Sequence, residues 1–162
     1  MNIFLLDLHP YYCAIMHVDK HVIKMILETC QLLCSAVHIC GNYEPCYKLT
    51  HKNHPCSIWT RQSIENYKWL CQLGKALCSE YTYRYGKTHK CQQYIEDLEE
   101  NPPDLPSIGF TKPAMAMPDE YKHQDPVLAY RKYYANDKKN LHSWKGKIQG
   151  RQIPVWLLLN KC

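Results

Sequence analysis

The chain has ten cysteines but no C-x-x-C pair. The commonest spacing of structural zinc sites is therefore missing, and no zinc site is expected. A secretion signal is missing as well. The early apolar stretch Ile3 to Leu8 is short, carries Asp7 and has no basic start. Without a leader, the cysteines read as reduced thiols of an intracellular compartment, not as a disulfide framework. Cys30 and Cys34 stand four apart, and Cys71 and Cys78 seven apart, on the apolar faces of predicted helices, which suits small buried hydrophobes. No apolar run approaches the length of a membrane span, so no membrane association is expected. Internal repeats and low-complexity linkers are also lacking, which leaves one domain spanning residues 1–162 as the expected organisation.

What is present fits that organisation. A chain of 162 residues can close a single core. Thirteen tyrosines and four tryptophans can pack that core or stack on bases. The formal charge of +5 permits an anionic partner such as nucleic acid without requiring one.

The clearest periodic stretch runs from Asp19 to Gly41. Val22, Ile23, Ile26, Leu27, Cys30, Leu33, Cys34 and Val37 recur at three- and four-residue steps, the period of an amphipathic helix. Asp19 is the expected N-cap, and Gly41 the expected left-handed C-terminal cap. Upstream, residues 2–8 read as a short, buried, extended segment ended by His9-Pro10. Residues 11–17 then suggest a helical turn. Residues 42–55 form a loop by their turn residues. A second long helical region covers about residues 56–85, with Pro55 at its first position, a break near Gln62–Ser63 and a stop at Gly86. In it, the Tyr81–Tyr85 tract reads as core packing and capping, with base stacking the alternative. A shorter helix is expected over Thr88–Asn101. Residues 102–124 hold five prolines and no period, yet their aromatic residues and methionines suggest a packed segment. Asp125-Pro126 opens a last helix expected to reach about His142. The fold class is mainly α: a single-domain helical fold with a short extended N-terminal segment and a long proline-rich loop.

Glu28 is a lone carboxylate inside the apolar run of the first long helix. Its ordinary reading is a surface ion pair with Lys24, four residues earlier. Its functional reading is an acid–base or electrostatic group, with Lys24 and His21 on the same helical face. His17 and His21 share a spacing that can bind a metal, but no third ligand is evident and Asp19 breaks the helix between them. Lys48, Lys52 and His54 make the 42–55 loop basic. Arg61, Asn66 and Lys68 are polar residues that can face a groove. Together with Arg131 and Lys132, the basic residues Lys48, Lys52, His54, Arg61 and Lys68 are the candidate phosphate contacts.

The pattern D-x-H-x(6)-E at Asp19, His21 and Glu28 resembles the pyrimidine-dimer DNA glycosylase/AP-lyase family, the phage-type endonuclease V. That family has a short N-terminal segment leading into a helix reading D-Q-H-L-x(5)-E. It then has a histidine and aromatic residues that open a second long helix, where His54-Pro55 and Ile58-Trp59 stand here. Tyr130 to Tyr134 and Trp144 are similar to its aromatic, basic C-terminal end. The resemblance implies DNA as partner, no cofactor, and strand cleavage through an imine formed by an N-terminal α-amine. Such amines have a reference pKa of about 7.7–8.0, against about 10.4 for lysine, so more is unprotonated near neutrality. It also implies Glu28 as the catalytic carboxylate and His21 as a site-shaping group. Family members usually expose a small second residue after losing the initiator methionine. Here residue 2 is Asn, a poor context for that removal, so Met1 is expected to stay. The candidate nucleophiles are the amine of Met1 and Lys24. Ile3 and Leu27 replace basic residues that the family places after the terminus and beside the catalytic Glu. Two other readings remain: a non-catalytic nucleic-acid-binding protein on the same scaffold, and an enzyme acting on a nucleotide or other small molecule. No obligate protein partner is inferred.

Overall fold

A computed structural model describes residues 1–159. The described residues form seven α-helices and no β-strand: α1 (Pro10–Met16), α2 (Asp19–Cys40), α3 (Pro55–Thr60), α4 (Ile64–Tyr85), α5 (Cys91–Glu100), α6 (Pro126–Asn136) and α7 (Val155–Leu159). Single 3-10 turns occur at Asp119–Tyr121 and Lys139–Leu141. The mainly helical class read from the sequence is the class observed.

The two long helices α2 and α4 pack on each other, and α5 lies against both. Val22, Ile26, Cys30, Leu33 and Val37 form the buried stripe of α2, as its period requires. Contrary to the sequence expectation, α2 is long and apolar enough to cross a membrane. The scattered Lys20, Lys24 and Glu28 hide this when uninterrupted runs are sought. Its apolarity has a use inside the fold, where 61% of its most apolar stretch is buried.

Both expected caps of α2 are corrected. Val18 is the N-cap, and its N–H donates to the Tyr134 hydroxyl at 2.9 Å. Asp19 is the first helical residue, and its carboxylate turns away to Arg84, Ser143 and the Gly146 N–H. Gly41 is extended, with φ −98° and ψ −175°. It is needed for space: a Cβ there would sit 2.6 Å from the Val37 carbonyl oxygen.

The break between α3 and α4 lies where expected, with the Ser63 hydroxyl capping the Asn66 N–H at 3.1 Å. Gly86 ends α4 in the left-handed region at φ 67°. Helix α6 opens on the Asp125 cap but stops at Asn136, short of His142. Its last carbonyls find other donors: His142 Nε2 lies 3.0 Å from Tyr134 O, and Asn136 Nδ2 donates to Lys132 O at 2.8 Å.

The N-terminal segment is extended but pairs with no strand. Its buried backbone groups are met by side chains instead. The Cys13 thiol donates to Phe4 O at 3.2 Å, Arg131 Nε to Leu6 O at 2.8 Å, and Trp69 Nε1 to Leu8 O at 2.8 Å.

Arg84 is fully buried and organises the other end of α2. Its guanidinium donates to Glu80 at 2.7 Å, to Asp19 and the His17 carbonyl at 2.9 Å each, and to Ile15 O at 3.0 Å. Arg151 grips the same Glu80 with two bonds of 2.9 Å. Burial pushes the Glu80 carboxyl up, but Arg151 and Arg84 outweigh it and hold it below the usual range. The Tyr81–Tyr85 tract thus contains an ion-network residue, a role beyond the packing and capping read from sequence.

The proline-rich segment is packed, as its composition suggests. Asn66, expected to face a groove, is instead buried. It fixes Thr111 through Nδ2–Oγ1 at 2.7 Å and N–Oδ1 at 2.9 Å. That anchor leads the segment back across the N-terminus.

Candidate active site

Helix α2 holds Glu28 at its inner wall, with the residue only 9% exposed. The N-terminal segment reaches this carboxylate directly. The Asn2 N–H donates to Glu28 Oε2 at 2.9 Å, and the Met1 α-amine lies 3.6 Å from the same oxygen. Lys24 Nζ lies 3.7 Å from the other oxygen, Oε1. The Met1 side chain is buried although the residue as a whole is partly exposed, whereas the Lys24 side chain reaches into solvent. Glu28 is therefore more than a surface partner of Lys24.

Asn2 is clamped from several directions. Its Nδ2 donates to Ala116 O at 3.0 Å, and its Oδ1 accepts the Ile3 N–H at 2.8 Å. The Tyr130 hydroxyl lies 3.0 Å from that Oδ1 and 2.8 Å from Ala114 O, and it accepts the Ala116 N–H at 3.2 Å. The Cys56 thiol is a further partner of Asn2 Oδ1 at 3.6 Å. Burial raises that thiol to about 11, so it is neutral and unreactive here. The end of the chain is thus fixed by α3, α6 and the proline-rich segment together.

His54 closes the site on the loop side. Its Nδ1 accepts the Cys56 N–H at 3.1 Å and caps α3. Burial lowers its pKa, the positive N-terminus lowers it further, and the Glu28 charge opposes both. His54 is thereby a neutral neighbour of the amine–carboxylate pair.

His21 sits elsewhere. It precedes Glu28 by two helical turns, about 10 Å along the axis. It stacks on Phe4 with centroids 4.5 Å apart, and its Nδ1 lies 2.8 Å from the Tyr134 hydroxyl. That hydroxyl also accepts the Val18 N–H, so it ties the imidazole to the start of α2. Burial, then the charges of His17, Lys138 and Lys24, push His21 down to about 3. His21 shapes the site by holding Phe4 and hence the N-terminal segment.

The basic candidates separate into free and engaged groups. Lys48 and Lys52 are exposed on the loop that leads to His54, and Lys68 is exposed on α4. Arg61 is engaged with Lys52 O at 2.8 Å and Ser57 Oγ at 3.2 Å. Arg131 holds Leu6 O and Asp7 and lies over the Trp156 ring at 5.5 Å. Lys132 donates to Glu120 O at 2.8 Å, in a groove it shares with Lys122 and Arg131.

Among the described residues, no third His, Cys, Asp or Glu ligand clusters with His17 and His21. His17 Nδ1 faces Cys13 O at 2.7 Å, and burial pushes it down to about 4. Among the described residues, the three side chains that do converge as metal ligands are Cys30, Cys34 and Cys46. A C-x-x-x-C pair inside a helix also brings two thiols to one face.

Residues 1–93 match the model of a family described as pyrimidine dimer DNA glycosylase. The chain belongs to that family. No match is found among curated proteins or among solved structures. Membership brings a DNA glycosylase function in repair, with pyrimidine dimers in DNA as the family's substrate. The matched part of this glycosylase contains Met1, Asn2, Glu28 and His54. The residues that clamp Asn2 from outside, Ala114, Ala116 and Tyr130, fall beyond it. Sequence reasoning named Tyr130 only as a C-terminal aromatic and considered Asn2 only as a neighbour of Met1. The one available signal was a polar residue immediately before a buried apolar segment.

Proposed function

We propose that the chain excises damaged pyrimidines through an imine formed by its N-terminal α-amine, with Glu28 as the catalytic carboxylate. The observation that carries this reading is the amine–carboxylate pair, 3.6 Å apart. In the first step the amine lone pair attacks C1′ of the damaged nucleotide. The glycosidic bond breaks, and its electrons leave with the base, which takes up a proton. The amine then loses its protons, the C1′–O4′ bond opens with its electrons and a proton going to O4′, and a C1′=N imine remains. Loss of a C2′ proton expels the 3′ phosphate and cuts the strand. Glu28 serves this sequence as the anion that stabilises positive charge on the sugar and as the base that carries protons from the amine.

Which nitrogen attacks depends on the chain end. If Met1 is retained, its amine is the nucleophile. Removal of Met1 would make the Asn2 nitrogen the α-amine, 2.9 Å from the same carboxylate oxygen. Lys24 is a second candidate because its Nζ is 3.7 Å from Glu28.

Borohydride trapping on abasic-site DNA tests the proposal. A covalent adduct is expected, and its mass after proteolysis identifies the bonded residue. N-terminal extension should abolish trapping, whereas Lys24→Met should preserve it. The reverse pattern would assign the lysine. No adduct with either amine intact would reject the imine and leave a DNA-binding protein without this chemistry.

A further inference from the structure

We propose that Cys30, Cys34, Cys46 and Cys91 form a structural zinc site that ties the 41–54 loop to α2. Cys30 and Cys34 lie one turn apart on the buried face of α2, and the following loop returns Cys46 to them. Cys34 Sγ and Cys46 Sγ are 3.5 Å apart, Cys30 Sγ and Cys46 Sγ are 3.9 Å apart, and the three sulfurs lie within 4.8 Å of one another. A tetrahedral site with zinc–sulfur bonds of about 2.3 Å has sulfur–sulfur edges of about 3.8 Å. The observed spacings bracket that edge. They are much longer than a disulfide bond, about 2.04 Å. They are also too short to surround an iron–sulfur cube, whose ligands stand outside a multi-atom core.

The fourth ligand is Cys91, the first residue of α5. It is fully buried with its Sγ beside the Tyr47 hydroxyl; it stands outside the cluster of the other three sulfurs and must close in on the ion to complete the tetrahedron. Tyr47, next to Cys46, supplies a surrounding donor that thiolate ligands require. Its hydroxyl lies 3.4 Å from Cys91 Sγ. Four thiolates over-neutralise the divalent ion, which is why donors around the sulfurs matter, and they leave no open coordination position, so the site is structural rather than catalytic. Its effect is mechanical. The loop it holds carries Lys48 and Lys52 and ends at His54 beside Glu28. Other anchors of the loop are modest neutral bonds, such as Ser35 Oγ to Thr50 O at 2.9 Å.

The test uses the full chain, purified without chelator from zinc-supplemented cells. Elemental analysis should find about one zinc per chain. Cobalt(II) exchanged into the site should give the near-ultraviolet thiolate-to-metal band of a tetrahedral centre. Cys46 is exposed, so Cys46→Ser should fold, and competition with a chromophoric chelator should show zinc held about a hundredfold more weakly or worse. Cys91→Ser should weaken it likewise, while Cys40→Ser, outside the cluster, should not. Stripping zinc should lower the Tm of the wild-type chain but not of Cys46→Ser. Far less than one zinc with no cobalt band would overturn the proposal. So would undiminished affinity in Cys46→Ser, or a Cys34–Cys46 disulfide in protein isolated under thiol-blocking conditions. Unchanged affinity in Cys91→Ser would overturn the four-thiolate assignment. None of these readouts depends on DNA cleavage.

Discussion

On the proposed function, Glu28 does two jobs that a single substitution can separate. Its oxygen accepts the Asn2 N–H, a contact that the amide oxygen of glutamine can also make. Its charge is what an amine nucleophile and a cationic sugar require. Glu28→Gln should therefore keep the fold while lowering cleavage of abasic-site DNA by about a hundredfold or more. Wild-type turnover by that variant would remove Glu28 from the reaction. Tyr130→Phe probes the other side of the pair. It removes the hydroxyl shared by Asn2, Ala114 and Ala116 and should cost about 1–2 kcal/mol in denaturant unfolding. Activity should also fall, because the chain end loses an anchor; unaltered stability and rate would show that the anchor is redundant. Glu28 was legible because a charge in an apolar helical stripe is visible locally. Asn2 was not, because two of its clamps, Ala116 and Tyr130, stand more than a hundred residues along the chain.

At the scale of elements, periodicity identified both long helices, the break between them and the stop at Gly86. The caps were less legible. Asp19 has the residue type of an N-cap, yet its partners are Arg84, Ser143 and Gly146, which no local pattern announces. Those contacts join α2 to α4 and to the C-terminal segment. Arg84→Met should destabilise the protein by about 3 kcal/mol or more, since it leaves Asp19 and part of Glu80 unpaired. A urea midpoint close to wild type would deny the network that importance. The same corner predicts acid sensitivity. His17 and His21 have folded-state pKa values of about 4 and about 3, below the ordinary 6.5, because burial disfavours their charged forms. Below about pH 6.5 the unfolded chain binds protons that the folded chain does not, so stability is full above that pH and declines as pH falls toward 4. Glu80, held low by its arginines, adds a loss of the same sign below the ordinary carboxylate range. A melting temperature that is flat from pH 7 to pH 4 would contradict this assignment.

Across the whole molecule, positive charge is abundant but unequally available. Lys48, Lys52 and Lys68 are exposed, whereas Arg61 and Arg131 already hold carbonyl oxygens of the protein. DNA affinity should fall with salt, and each of the three lysines changed to glutamine should reduce the log–log slope by about 0.9. Arg131→Gln should instead reduce stability and leave the slope almost unchanged. Equal slope changes for lysine and arginine variants would show that the arginines release their internal partners on binding. Composition revealed the charge but could not say which cations were committed, because that follows from long-range packing.

The contacts of the N-terminal segment also set an order in time. Asn2 meets Tyr130 across 128 positions, Arg131 meets Leu6 across 125, and Trp144 meets Met16 across 128. On the ribosome the segment emerges first, while its clamps emerge roughly ten seconds later at usual elongation rates. Until then the amine of the nascent chain stays accessible to processing enzymes. Trimming of Met1 is easiest in that interval, before the Met1 side chain is buried and Asn2 is clamped. Loop closures of this length also form late in folding, after the α2–α4 pair can already be packed. On the proposed function, the end that carries the amine is thus made early and assembled last, and C-terminal truncation should yield chains that keep helical structure while lacking the clamped N-terminal segment.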